Sequence, residues 1–479
     1  MQIRRDKTAL RRVDLSRPLR LALDAELLPA GSTVFDYGCG HGSDLKLLRS
    51  LGFDAVGWDP AHAPREELRP SQVVNLGFVV NVIENSEERA AALATAWSLA
   101  NRLLIVSARL RSDVDEVRGD DYADGVVTRC GTFQHFYLQS ELRDWIEQVL
   151  EEPAVPAAPG VFLVFRNPED RERHIAARFR RSVLGPRVPI SAALYAEHKD
   201  LLDPLLQFFT ERGRLPAPEE LPNSGEVSAA FGSIGRAFAV VRRATGAESW
   251  SQIEVQRNED LLLYLATSQF SRPVKFTELA PELRGDIRAF HGNYSKATLA
   301  AIQMLRQVAD QDKINAACKS VGVGKETPQA LYVHACALEL LPSILRLYEA
   351  CGRGLVGDVE GANIIKLHRY RPQVSYLCYP TFDKEAHPAL SFSAVVSLDE
   401  ARCSFKDYTR TPNPPILHRK EEFVPENYPS RAKFAKLTKQ EEKAGLFQHP
   451  SRIGFLREWL LTLSDAGVSI RGHSLRRRP

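Results

Sequence analysis

The chain has 479 residues, 44% hydrophobic and 26% charged, which is the composition of an ordinary globular protein long enough for two to four domains. A net charge of +3 argues against a global field that demands a polyanionic partner, and seven cysteines without a C-x-x-C pair argue against a disulfide framework or a zinc site. No apolar run is long enough to cross a membrane, and no signal-peptide core follows Met1-Gln2-Ile3-Arg4-Arg5, so a cytoplasmic protein with no membrane contact and no bound metal is expected.

In chain order, Arg4, Arg5, Lys7, Arg11, Arg12, Arg17 and Arg20 first crowd the N-terminus. Thr33-Val34-Phe35-Asp36 then reads as a short buried strand, Gly38, Gly40 and Gly42 as a tight turn, and 43–51 as a helix with Leu45, Leu47, Leu48 and Leu51 as its apolar positions. A strand that feeds a glycine-rich loop into a helix N-terminus lets backbone approach a nucleotide-like ligand closely. The spacing is D-x-G-x-G-x-G rather than the dinucleotide fingerprint, and it resembles motif I of class I S-adenosylmethionine (SAM) methyltransferases. That resemblance implies a loop of Asp36, Gly38, Gly40 and Gly42 around the methionine part of SAM. The alternative for Asp36 is a strand-end carboxylate that orders the loop by accepting backbone N–H groups.

Residues 55–59 read as a second strand ending in Asp59, about twenty residues beyond the loop, where a carboxylate suits both hydroxyls of a ribose. The alternative is a turn residue before Pro60. No third strand is visible between 61 and 72, so it is short or absent. Residues 73–84 read as a strand running out into an edge loop, 87–100 as a helix and 103–108 as another apolar strand. Such alternation predicts a doubly wound α/β sheet with its crevice at the strand C-termini. Asp36, Asp59 and Asn75 belong to the cofactor side of that edge, while Asn81 and Glu84 fall where an acceptor approaches. Segments 124–129 and 161–166 read as the closing strands, with a helix over 139–150 and a proline- and alanine-rich loop over 153–159 between them. His135 lies on the substrate side by topology, where a histidine serves as general base or as a structural hydrogen-bonding group.

Three domains are expected: 1–168 SAM-binding, 169–325 mainly helical, and 326–479 an α+β module. Helix-period apolar residues occupy 191–212, 227–245, 249–269 and 295–320. Residues 328–351 read as one long apolar helix with Pro342 inside it, 374–379 and 390–398 as strands, and 455–466 as a last helix. Arg166, Arg171, Arg173, Arg178, Arg180, Arg181 and Arg187 form a second basic cluster, and Arg471 with Arg476-Arg477-Arg478 a third. Such clusters are either phosphate contacts or solvated faces, since acidic residues are interspersed. Asn413-Pro414-Pro415-Ile416 lacks the stacking aromatic of an amino-methyltransferase motif and reads as a loop. Gly322-Val323-Gly324-Lys325 lacks the glycine and hydroxyl of a phosphate loop.

Several phrases together resemble one family. They include Leu15-Ser16-Arg17-Pro18-Leu19, Gly57-Trp58-Asp59-Pro60, Val79-Val80-Asn81-Val82-Ile83-Glu84 and Pro415-Ile416-Leu417-His418-Arg419-Lys420-Glu421. The set resembles the methyltransferases that accompany DNA phosphorothioation (Dnd-type) gene clusters in bacteria. What that implies is a class I SAM-binding domain, DNA or a DNA-linked acceptor, and DNA-modification proteins as partners. A small-molecule methyltransferase and a non-catalytic SAM-binding recruitment module are the competing readings.

Overall fold

A computed structural model describes residues 3–116, 119–181, 198–245, 247–449 and 453–477. By packing, residues 1–167 and 311–479 make one compact unit and 168–310 a second. The first break falls beside Pro168, and the chain re-enters the first unit at Gln311, ahead of the expected 325.

The first unit opens with α1 (Arg17–Asp24) and then alternates β1 (Thr33–Tyr37), α2 (Ser43–Ser50), β2 (Asp54–Trp58), β3 (Ser71–Gly77), α3 (Ser86–Leu99) and β4 (Ala100–Ser107). These four strands are parallel in the order β2-β1-β3-β4. Successive residues of β1, β3 and β4 are buried on both faces, so these strands read as continuous apolar runs rather than alternating ones. Between β2 and β3 there are only turns, as the sequence suggests for 61–72. The strand order reverses between β1 and β3, and that switch point opens the ligand crevice of such sheets.

The sheet closes differently from the sequence reading. Gly125–Thr128 is not a closing strand; as β6 it joins β5 (Gly119–Tyr122) and β7 (Phe133–Gln134) in a small antiparallel sheet. After α4 (Gln139–Leu150), the segment expected as a loop is a buried strand, β8 (Ala154–Ala158), paired with β9 (Val161–Phe165), which runs antiparallel to β4. Its small side chains serve packing from the rest of the unit. The Asp358 amide donates to Ala157 O at 2.7 Å, and a Cβ on Gly357, whose φ is +78°, would sit 2.5 Å from the Ala157 carbonyl carbon. Alanine-rich sequence here marks a close approach, not a loop.

The 326–479 segment therefore packs with the N-terminal domain instead of standing apart. Arg17 and Arg20 also reach Glu360, at 3.3 and 2.6 Å. Its centre is an antiparallel sheet in the order β10-β11-β12-β13-β14-β15. These strands are Lys325–Glu326, Ala330–His334, Ala362–His368, Gln373–Cys378, Phe392–Ser397 and Arg402–Asp407. The single helix expected over 328–351 is instead β11, a 3-10 turn (Ala335–Leu340) and the helix α13 (Ser343–Val356). Pro342 caps the start of that helix rather than sitting inside it, a position where its missing N–H costs no helical hydrogen bond. No helix among the described residues is long and apolar enough to cross a membrane.

The second unit is helical. α5 (Pro168–Ala177), α6 (Lys199–Arg212), α7 (Ser224–Phe231), α8 (Ile234–Thr245), α9 (Ala247–Ser271), α10 (Pro281–His291) and α11 (Tyr294–Val308) follow one another. The expected helix over 227–245 breaks at Gly232, whose φ of +81° ends α7. The one expected over 295–320 ends at Val308, and α12 (Gln311–Ser320) follows. Residues 191–197 of the expected helix 191–212 lie outside the described residues, as do Arg187 and Arg478.

Candidate functional site

A cavity of about 320 Å³ opens at the C-terminal ends of β1, β2 and β3. Its walls are residues 37–40 of the glycine loop, 58–62 after β2, 77–79 after β3, Val82 and Ile83, one side of α3 and an N-terminal strap of Arg5, Thr8, Ala9, Leu10 and Arg12. Two glycines make the loop possible. Gly38 and Gly40 have φ of +84° and +50°, and the Gly38 and Cys39 amides both donate to Trp58 O, at 2.7 and 3.1 Å.

Asp59 lines the cavity. Its Oδ2 accepts from the Gly40 amide at 3.1 Å, and its Oδ1 accepts from the Ala61 and His62 amides, each at 2.9 Å. The carboxylate orders the turn after β2, ties it to the glycine loop and lines the cavity. A carboxylate oxygen has lone pairs to spare for a ligand hydroxyl after one or two amide bonds.

Asp36 and Asn75 lie behind the loop. Both are buried, and the Asn75 amide donates to Asp36 Oδ1 at 2.8 Å. Burial, reinforced by the nearby Asp44 charge, pushes the Asp36 carboxyl up to about 7. The unfolded carboxyl releases its proton near pH 4. Between those values only the folded state holds the proton, so the stability from this group is present near pH 4 and lost as pH rises towards 7. Urea unfolding at pH 5 and pH 7.5 is expected to show that loss in the parent chain and a smaller one in Asp36→Asn. Parallel pH dependences would rule out a neutral Asp36. Gly42 starts α2 with φ of +70° and lines a neighbouring shallow cavity with His41 and His62, whose rings are 4.3 Å apart.

The acceptor-side residues separate. Glu84 is not part of the cavity wall but binds the wall residue Arg5, whose Nε lies 2.9 Å from it, while the rest of the Arg5 guanidinium binds Glu88. Asn81 and His135 are buried and outside the cavity wall. The Asn81 side-chain amide donates to Gln134 Oε1 at 2.9 Å, and the Asn81 main-chain carbonyl accepts from the His135 main-chain amide at 2.7 Å. His135 Nδ1 contacts Asp124 O at 2.5 Å, and burial pushes its pKa down. These two residues brace the small sheet against the loop after β3.

What the sequence reading missed is the strap, together with Tyr37, Trp58 and Phe78. Phe78 has φ of +58°, and its amide donates to both Ser107 O and Ser107 Oγ, at 3.0 and 3.1 Å. A bulky residue in that conformation persists only where its surroundings hold it, and such residues cluster at ligand sites. The signal for the strap was the acidic pair Glu84 and Glu88 flanking the start of α3, which needs a cation from elsewhere. Asn413, the head of the N-P-P-I sequence, holds the start of the helix Leu456–Asp465 by accepting from the Arg457 amide at 2.7 Å.

The first two basic clusters are largely engaged, whereas Arg471, Arg476 and Arg477 are exposed and in no ion pair among the described residues. In the second unit Arg171 pairs with buried Glu172 at 2.8 Å, Arg173 with Glu282 at 2.7 Å and Arg181 with Asp260 at 2.8 Å. At the N-terminus Arg4 pairs with Asp6 and Arg12 approaches Asp44, beside the Arg5, Arg17 and Arg20 pairs.

Residues 8–129 match a family model described as a methyltransferase domain. The N-terminal domain is a methyltransferase domain. Its sheet, glycine loop and β2-end carboxylate make the Rossmann-like α/β fold of the class I, SAM-dependent type. The cavity also suits that cofactor: a carboxylate at the end of β2 for a ribose diol, aromatic and aliphatic walls for a base, and a loop open to close approach. No curated protein matches the chain. Solved structures with some likeness include magnesium protoporphyrin IX methyltransferase from Synechocystis PCC 6803 with bound SAM. It is 18% identical with a TM-score of 0.22, over 31% of this chain and 76% of that one. A SAM-bound amino pentose methyltransferase from Micromonospora echinaspora is 14% identical with a TM-score of 0.23, over 34% and 94%.

Proposed function

We propose that the chain transfers a methyl group from SAM to DNA or a DNA-linked group, in the setting of bacterial DNA modification that the sequence resemblance implies. The observation that carries the methyl-transfer part is the cavity at the sheet's switch point, where the glycine loop, the Asp59 carboxylate and the loop after β3 converge. SAM bound there supplies an electrophilic methyl on a sulfonium. Asp59 binds the ribose, residues 38–40 pass along the methionine part, and Phe78 and Glu84 border the approach of the acceptor. In-line displacement breaks the S–CH3 bond as the acceptor takes the methyl, leaves S-adenosylhomocysteine, and depends on alignment of donor and acceptor more than on any one acid or base. That suits a cavity whose wall does not include the buried His135.

The small-molecule reading has one observation in its favour. The strap crosses the cavity, pinned by Arg5 to Glu84 and Glu88, and leaves a space of only about 320 Å³. Calorimetric titration with SAM, followed by radiolabelled methyl transfer to DNA, RNA and small-molecule extract, tests both. Labelling of DNA supports the proposal, labelling of extract alone supports the second reading, and failure to bind SAM overturns both.

Asp59→Ala is expected to weaken SAM about tenfold or more, because a charge-assisted hydrogen bond contributes roughly 1.5–3 kcal/mol. Titration of the folded variant with no change in affinity would place the ribose elsewhere.

A further inference from the structure

Among the described residues, one helix gathers four cations that no ion pair engages and that are not one of the clusters seen in the sequence. The helix α14 (Arg431–Lys443) buries Phe434, Leu437, Thr438 and Glu441 on one side. Its exposed side carries Lys433, Lys436, Lys439 and Lys443 in steps of three, three and four residues. On a 3.6-residue period these four form one stripe about 15 Å long. Among the described residues none of the four is in an ion pair, while the exposed acid on the same helix, Glu442, is held by Arg419 at 2.6 Å. Beside the helix lies the hairpin β16 (Val468–Arg471) and β17 (Ser474–Arg477), where Arg476 is exposed.

Helix and hairpin are joined into one platform. The Leu475 amide donates to Gln440 Oε1 at 2.9 Å, and the His473 and Phe434 rings stack at 5.3 Å. Buried Lys420 ties the hairpin down further: its ammonium meets His473 Nε2 at 3.0 Å and the carbonyls of Phe382 and Glu385 at 2.5 Å.

We propose that this platform binds the phosphate backbone of duplex DNA through Lys433, Lys436, Lys439 and Lys443, with Arg476 at the margin. At 3.4 Å of rise per phosphate on one strand, the stripe spans about four phosphates. Lysine ammoniums act as mobile point charges, which suits contact with a backbone rather than reading of bases. A membrane surface fits less well, because an interfacial helix inserts its apolar side and this one spends that side on its own core.

The test is anisotropy of a labelled 30-base-pair duplex with the full chain, from 50 to 200 mM KCl. Log affinity falls linearly with log salt, and changing the four lysines to glutamine cuts the slope by about 0.9 for each lysine that meets a phosphate. The thermal melt stays where it was. A charge-matched control with Arg242, Arg243, Arg272 and Lys296 changed to glutamine keeps the parent slope. Three results overturn the proposal: no binding at 50 mM KCl, equal loss in both variants, or lysine-dependent binding to phosphatidylserine vesicles without binding to DNA. Methyl transfer enters none of these measurements: equal loss in both variants overturns the platform alone, whereas no binding at 50 mM KCl also favours the small-molecule reading of the proposed function.

Discussion

Gly38→Ala is expected to abolish SAM binding in calorimetric titration. Gly38 has φ of +84°, and an added Cβ would sit 2.4 Å from Val79 Cγ2. Neither side can yield easily. The Gly38 and Cys39 amides are tied to Trp58 O, and Val79 follows Phe78, whose backbone is fixed by Ser107. A β-branched valine has few other rotamers to adopt. Left-handed strain and overpacking each cost about 1–3 kcal/mol, and about 3 kcal/mol corresponds to a hundredfold loss of affinity. Gly52→Ala is the control, since its φ is +88° but nothing lies within 4 Å of the new Cβ. It is expected to carry the strain without the crowding and to keep affinity for SAM. Equal affinities in parent and Gly38→Ala would remove the loop from the cofactor site.

Arg181→Ala is expected to destabilise the helical unit without touching SAM affinity. Its guanidinium binds Asp260 Oδ1 at 2.8 Å, Glu259 at 3.0 Å and Gln256 O at 2.9 Å, and its own carbonyl accepts from Arg257 at 2.8 Å. Asp260 is 3% exposed, so losing the Arg181 guanidinium takes from a buried charge its 2.8 Å ion pair, while the Arg257 contact at 3.3 Å and the residue-181 amide at 3.1 Å stay. Breaking a buried pair from one side costs roughly 3–5 kcal/mol, which lowers the melting temperature by about 10 °C for a unit of this size. A thermal melt beside a DNA gel shift separates the roles. An unchanged melt with weakened, less salt-sensitive DNA binding would make Arg181 a phosphate contact.

The sequence by itself determined the elements whose signal is local. A five-residue apolar strand, three glycines and an amphipathic helix leave little choice of conformation, so β1, the loop and α2 were legible, as were Asp59 at the end of β2 and the missing strand before β3. Asp36 and Asn75 were legible as part of the strand ends, but not their burial behind the loop. Tertiary structure alone decided the elements whose state depends on what covers them. Residues 154–158 look like loop because alanine and proline have low strand preference, yet small side chains are what lets the Gly357 turn approach. The run 330–334 carries no period that separates strand from buried helix, and pairing with Ala362–His368 settles it. The same holds for charge. Arg171, Arg173 and Arg181 are dense in sequence but spent on Glu172, Glu282 and Asp260, while the widely spaced lysines of α14 come together because a helix returns every 3.6 residues to the same face. Whether a cation is free for a ligand depends on partners distant in sequence, and only the folded chain brings those partners within reach.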